Sequence, residues 1–160
     1  MFHLAEVGEI QHNMEIHQVA FSDILDIWKI QLWPGRKSPI ESHSAMLMPP
    51  LDHSMKNFQL PVYFYGAFEN DTLVGVNSAH GCADGSLRSR GLWVNPQFRG
   101  RGIGEALLRV VIDNPAYLIV WSFPRSSAWP VYEKCGFKKI SDWMPSETSE
   151  ANAYCSLLKL

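Results

Sequence analysis

The residues of this chain best suited to chemistry lie in the run Trp93-Val94-Asn95-Pro96-Gln97-Phe98-Arg99-Gly100-Arg101-Gly102-Ile103-Gly104. It reads as the end of a strand, a tight turn holding three glycines, and the N-terminus of a helix. Free N–H groups at a helix start, together with the positive end of its dipole, attract phosphate oxygens. Glycines let the backbone approach those oxygens with no Cβ in the way. Arg99 and Arg101 add charge that suits a pyrophosphate. A dinucleotide fingerprint would need glycine where Glu105 stands, and a Walker loop would end in Gly-Lys-Ser or Gly-Lys-Thr; both are absent. By themselves these residues leave two readings open: a phosphate cradle, or a tight strand-to-helix connection with solvated arginines.

Other reactive residues are scattered. His80-x-Cys82-x-Asp84 has ligand types, but no second pair at metal spacing accompanies it, so it reads as a hairpin and no metal is expected. Cys135 has no implied histidine partner and reads as a packing residue at a helix end. No Gly-x-Ser-x-Gly elbow exists, which excludes the usual serine hydrolase. Trp28, Trp33 and Trp129 read as core.

The elements that must position the glycine turn follow from pattern. Residues 14–21 alternate loosely, as a first strand does. Ser22 reads as the N-cap of a helix with Ile24, Leu25, Ile27, Trp28 and Leu32 on one face, stopped by Pro34-Gly35. Prolines 39, 49, 50 and 61 break the stretch 36–61, a long irregular segment of the kind that serves binding. Residues 62–68 and 72–80 form a hairpin across Glu69-Asn70-Asp71, and Ala83-Asp84-Gly85 turns into a strand over 86–94. Ile103, Ala106, Leu107, Val110 and Val111 make the apolar stripe of a helix over 102–113. A short buried strand over 118–123 follows. Ser126 or Ser127 then caps a helix running to Cys135, with Gly136 in the left-handed position beyond its end. Residues 137–143 and 153–160 close the chain as two strands. The expectation is a mixed α/β sheet of about seven strands with flanking helices, one domain over 1–160 with an N-terminal extension at 1–13.

Composition agrees with a globular protein. Hydrophobic residues make up 46% of the 160 and charged residues 19%, which excludes intrinsic disorder. Fourteen Lys and Arg against sixteen Asp and Glu give a net charge of −2, against a dedicated nucleic-acid binder. No apolar run approaches the roughly 20 residues of a membrane span, and the first residues lack a secretory pattern. Cys82, Cys135 and Cys155, odd in number and unpaired in spacing, read as reduced thiols in a cytoplasmic protein.

Two motifs together resemble a known family. Arg99-x-x-Gly102-x-Gly104 is similar to the acyl-CoA-binding motif of the GCN5-related N-acetyltransferases (GNAT). Ala128-x-x-x-Tyr132-Glu133-Lys134-Cys135-Gly136-Phe137 is close to a second motif of that family. The resemblance implies the GNAT fold, acetyl-CoA or CoA as co-substrate, and a cofactor and catalytic core over 92–137. It implies that Leu92, Trp93 and Val94 face the pantetheine arm and thioester. Arg99, Gly100, Arg101, Gly102, Ile103 and Gly104 would hold the pyrophosphate. Ser127 would lie at the cofactor, and Tyr132 beside the sulfur as the general acid. The strands 86–94 and 118–123 would splay to admit the cofactor.

The activity so implied is acetyl transfer to a primary amine of a small molecule or peptide by direct attack in a ternary complex. A catalytically silent acyl-CoA sensor of the same fold is the alternative. A lysine-like amine is only about 0.04% neutral at pH 7, so a base or a water chain is needed. Relatives often carry a glutamate in the fourth strand, but Ser86-Leu87-Arg88-Ser89-Arg90 has no acid, and the asparagine often found near Ser122-Phe123 is missing. His80 is one titratable candidate near pH 7, read first as a surface or hairpin histidine. Arg125 could serve cofactor, acceptor or surface. A monomer or homodimer is expected, with no nucleic-acid or membrane partner.

Overall fold

Strand formation follows the aromatic and β-branched runs, and the computed structural model describes residues 14–43, 60–146 and 150–160. The strands are β1 (Met14–Val19), β2 (Val62–Glu69), β3 (Thr72–Gly81), β4 (Leu87–Val94), β5 (Ile119–Ser122), β6 (Lys138–Lys139) and β7 (Cys155–Leu158). They form one seven-stranded sheet in the order β1-β2-β3-β4-β5-β7-β6. All neighbouring pairs are antiparallel except β4 and β5. Asn70 and Asp71, both at positive φ (50° and 67°), make the two-residue turn between β2 and β3. That twist matches the strands on either side.

The helices are α1 (Phe21–Ile27), α2 (Ile103–Ile112) and α3 (Trp129–Lys134). The expected Ser22 cap is corrected: Ala20 occupies the cap position, and its N–H donates to the Asp23 carboxylate (2.8 Å). An acid three residues into the helix thus does the capping from inside the first turn. Past Ile27 the helix widens into a π turn, Trp28–Leu32, closed by Trp33 N–H to the Trp28 carbonyl at 2.7 Å. In α2 the buried positions are Ile103, Leu107, Leu108, Val111 and Ile112, so the inward stripe is rotated from the expected one, with Ala106 and Val110 at its margin.

Two further corrections concern the C-terminal part. The cap of α3 is Ala128, with no side-chain bond, because Ser126 and Ser127 are both turned to Glu150. The strands expected over 137–143 and 153–160 shrink to Lys138–Lys139 and Cys155–Leu158. There the Ser141 hydroxyl takes the Tyr154 N–H (2.8 Å), substituting a side chain for a ladder partner. Of the segment expected to be irregular, residues 36–43 are irregular and 44–59 lie outside the described residues, as do 1–13.

Each face of the sheet has its own cover. Tyr65, Ala67, Ala79, Leu87, Val120 and Cys155 pack under α2 and α3 in the larger core. On the other face Val76 packs with Ile24, Trp28 and Leu32 of α1 and its π turn. Among the described residues no helix is long and apolar enough to cross a membrane.

Candidate active site

Two irregularities in β4 shape the centre of the molecule. The first is where its parallel partner stops. β4 pairs with β5 only at Leu87–Val120, Arg88–Trp121 and Ser89–Ser122, after which β4 runs on to Val94 without it. The second is a bulge: Val76 faces Trp93 and Ser78 faces Arg90, so Gly91 and Leu92 share one partner position on β3. Gly91 sits at φ +80°, and a Cβ there would lie 2.3 Å from the Trp28 ring. The Trp28 indole N–H donates to the Gly91 carbonyl at 2.9 Å. Only glycine satisfies both the backbone angle and the contact. Sequence reading missed Gly91; its one signal was an isolated glycine inside a strand pattern.

Tyr132 projects from α3 to the point where β4 and β5 part, and it is 1% exposed. Its hydroxyl lies 3.1 Å from Ser89 Oγ and 3.2 Å from Ser122 Oγ. Ser122 Oγ also donates to the Ser89 carbonyl at 2.6 Å. Ser89 is held in turn by Asn77, whose amide donates to Ser89 Oγ (3.1 Å) and to the Leu107 carbonyl (3.3 Å). The ring meets Phe137 edge-on. Burial pushes the Tyr132 phenol up to about 12, against the pull of its two serine partners. Cys155, buried on β7, is likewise pushed up to about 12 by its own burial.

The glycine turn is open. Gly100 and Gly102 are both at φ +81°, and a Cβ on either would meet nothing within 4 Å. Gly102 caps α2, and the helix's first bond is Ala106 N–H to the Gly102 carbonyl at 3.0 Å. The preceding N–H groups, Ile103 and Gly104 included, therefore have no carbonyl within the helix to donate to. A Cβ on Gly104 would lie in ordinary contact with Val94 and Val131, so the turn passes close to both β4 and α3 there. Of the two arginines, Arg99 bends back to donate from Nε to the Val94 carbonyl (2.9 Å). Arg101 pairs with Glu69 (3.1 Å) across the Phe98 ring. Leu92 and Val94 turn toward the α2 side and Trp93 toward the α1 side.

Three expected roles sit differently. Ser127 gives its N–H (2.8 Å) and hydroxyl (3.0 Å) to the Glu150 carboxylate, at the end of α3 and not in the turn. Hydrogen bonds from these serines, with Arg125, hold the Glu150 carboxyl below its usual range despite burial. Arg125 donates to the Leu32 carbonyl and to Glu150 (3.4 Å), tying the end of β5 to the π turn. His80 is neither surface nor turn: it is 1% exposed on β3. Its Nε2 meets Ser78 Oγ at 2.7 Å, and Ser78 Oγ donates to the Arg90 carbonyl at 2.5 Å. Ser78's single proton being so used, His80 must donate from Nε2, which leaves Nδ1 as a bare acceptor. Burial first, then Arg90 and Arg88, pull the imidazole well below its usual range.

Cys82, Cys135 and Cys155 are buried free thiols. Among the described residues no group of three His, Cys, Asp or Glu could hold a metal.

Comparison with known proteins bears on this geometry. No curated protein matches the chain. Among solved structures it is similar to the ribosomal-protein-S18-alanine N-acetyltransferase of Escherichia coli, at 16% identity and a TM-score of 0.61 over 92% of this chain and 95% of that one. It is also similar to an acetyltransferase of the GNAT family from Staphylococcus aureus, at 19% identity and a TM-score of 0.61 over 89% and 97%. The PaiA N-acetyltransferase of Thermoplasma acidophilum, solved in complex with coenzyme A, matches over 61% of this chain and 60% of that one, at 20% identity and a TM-score of 0.50. These likenesses show the acyl-CoA N-acyltransferase fold. The family model for the acetyltransferase (GNAT) domain matches residues 61–139, the span that holds β2 to β5, the glycine turn and Tyr132. The chain thus carries a GNAT acetyltransferase domain over residues 61–139, set in the acyl-CoA N-acyltransferase fold.

Proposed function

We propose that the protein is an acetyl-CoA-dependent N-acetyltransferase in which a neutral amine attacks the thioester directly, both substrates being bound together. The observation that carries this reading is the Tyr132 hydroxyl, held between Ser89 and Ser122 where β4 and β5 part.

The residues present fit the co-substrate. Open space at Gly100 and Gly102 and the free N–H groups at the start of α2 suit a pyrophosphate. The part of β4 beyond Ser89 lacks a β5 partner, so Leu92, Trp93 and Val94 are the residues for the pantetheine arm. Arg99 and Arg101 reinforce the turn's positive charge, although both are partly engaged. Ser127, just before α3 and bound to Glu150, is the remaining residue we assign to the cofactor.

Acetyl-CoA, when bound, supplies the thioester carbonyl and the leaving thiol. Tyr132 stays protonated at any working pH because its phenol sits near 12. Proton transfer from such a group to an ordinary thiolate of pKa ~8.5 would be uphill by roughly 5 kcal/mol. Desolvation raises a thiol as it raises a phenol, so a leaving thiol held in a dry fork is a closer match for Tyr132 than the same thiol in water. Ser89 and Ser122 orient the phenol, and Asn77 orients Ser89. His80, kept neutral and pulled low, is a weak base, so the amine's proton leaves to solvent.

The test is Tyr132→Phe, which keeps the ring and its packing and removes one hydroxyl. General-acid assistance is worth about 10²–10⁴-fold, so kcat should fall by that factor. CoA affinity should change by no more than about 1 kcal/mol. A fall of less than about tenfold, measured by thiol release, would remove Tyr132 from the acid role.

A further inference from the structure

The face of the sheet opposite Tyr132 carries buried positive charge that the reaction above does not use. Arg88 and Arg90 flank Ser89 on β4, so their side chains leave on the other side of the sheet from its hydroxyl. Arg88 lies over the Trp121 ring (4.8 Å), and its Nε is buried without a hydrogen-bond partner. Arg90 lies over Trp28 (4.9 Å) and Trp33 (5.3 Å), and it donates to the Glu41 carbonyl at 2.8 Å. His80, opposite Arg88 in the β3–β4 register, adds the buried Nδ1 that no donor reaches. Among the described residues Arg88 has no carboxylate partner. Burial is the main pull on both guanidiniums below their ordinary range; Arg36 adds to it at both and Arg88 at Arg90, against Tyr154, Cys82 and Tyr132 at Arg88 and the Glu41 carboxylate at Arg90. A groove of about 450 Å³ beyond Trp33 continues the same sign, with Lys29 and Arg36 and, among the described residues, no acid on its walls.

A buried Arg90 and a half-buried Arg88 against aromatic faces, with the buried Arg88 Nε unfilled, form an incomplete ion-pair site. The strand break after Ser89 puts that site across the sheet from Tyr132, about one residue rise of ~3.3 Å to either side of Ser89. We propose that the acceptor is an amine that also carries a carboxylate, with the carboxylate taken by Arg88 and Arg90 while the amine reaches the fork. Guanidinium groups suit this ligand through paired N–H···O bonds. Polyamines and other purely cationic amines are excluded by the same charges. For the reaction the proposal rests on the acetyltransferase reading; for binding it does not.

The experiment uses the parent protein with matched acceptors: glycine against glycinamide and L-phenylalanine against L-phenylalaninamide, with spermidine as the cationic control. Thiol release from acetyl-CoA is read for each. The carboxylates should exceed their amides in kcat/KM by at least about tenfold, and nearer 100-fold where the pair is well seated. Amides or spermidine equal to or better than the carboxylates would overturn the proposal. Calorimetry with N-acetyl-L-phenylalanine and N-acetyl-L-phenylalaninamide, in the presence of CoA, reads the site without turnover. Binding of the acid alone, with no amine acetylated, supports the anion site and rejects the enzyme reading; equal binding of both overturns the site. Arg88→Met should bring the acid-to-amide ratio close to one, and Arg88→Lys should restore part of it. The parent comparisons decide the matter should Arg88→Met fail to fold.

Discussion

His80 shows how a single residue changes meaning between sequence and structure. As a histidine near a strand end it suggests a titrating group at neutral pH; buried on β3 it is a fixed neutral imidazole that donates to Ser78. Its pKa lies well below the unfolded value of 6.5, chiefly through burial. Below pH ~6.5 the unfolded chain binds a proton that the folded one refuses, so stability is retained above that value and lost as pH falls. The slope from this one group approaches about 1.4 kcal/mol per pH unit. Thermal melts of the parent and of His80→Gln between pH 7.5 and 5 should therefore converge on acidification, the variant showing the flatter profile. Parallel profiles would mean that His80 is not held neutral. Ser89 offers a second test at this scale. Ser89→Ala removes one partner of Tyr132 and one of Asn77, and should cost about 1–3 kcal/mol of stability. The fall in kcat should be smaller than for Tyr132→Phe, because Ser122 still holds the phenol.

At the scale of elements, the glycines of the turn and of the β4 bulge share a left-handed angle and differ in the room around it. At Gly102 there is room but the angle is left-handed, so Gly102→Ala should cost about 1 kcal/mol of stability through φ alone. Gly102→Glu should cost a similar amount in folding yet lower CoA affinity by about two orders of magnitude, since it adds an anion at the phosphate site. Calorimetric titration of both variants with CoA isolates the charge from the strain; equal affinities would remove the turn from pyrophosphate binding. At Gly91 the same angle comes without room. A methyl group 2.3 Å from the Trp28 ring must push α1 from the sheet, and Gly91→Ala should destabilise by about 3 kcal/mol or more in denaturant unfolding.

These two glycines also mark the limit of what was legible in the sequence. The turn at 99–104, the extent of α2, the β2–β3 hairpin and the placement of Tyr132 on a helix all follow from local periodicity and punctuation, whereas the buried face of α2 was legible only in part. The Gly91 bulge does not, because its cause is Trp28, 63 residues away. Nor do the shortened β6 and β7, where side chains of Ser141 and Asn152 replace ladder bonds, Asn152 reaching the Phe123 carbonyl. The Arg88 and Arg90 face was read only as lacking an acid; that both cations lie against tryptophans depends on α1 and β5 closing over them.

For the whole molecule, the sheet divides two tasks between its faces. α2 and α3 cover one face with an apolar core and deliver Tyr132 and the glycine turn to a shared edge. α1 and its π turn cover the other with aromatic rings and guanidiniums. The parting of β4 and β5 connects the two. The buried cysteines pack in the core without a disulfide, so the melting temperature should be the same with and without reductant; a large drop under reductant would reveal a disulfide. An enzyme of this kind must consume acetyl-CoA when an amine is supplied. The direct measurement is steady-state thiol release with a panel of amines spanning amino acids, peptide N-termini, polyamines and aminoglycosides, with the product's mass checked for one added acetyl group. Amine-dependent release and an N-acetylated product are the predicted result, and tight CoA binding with no turnover on any amine would contradict it.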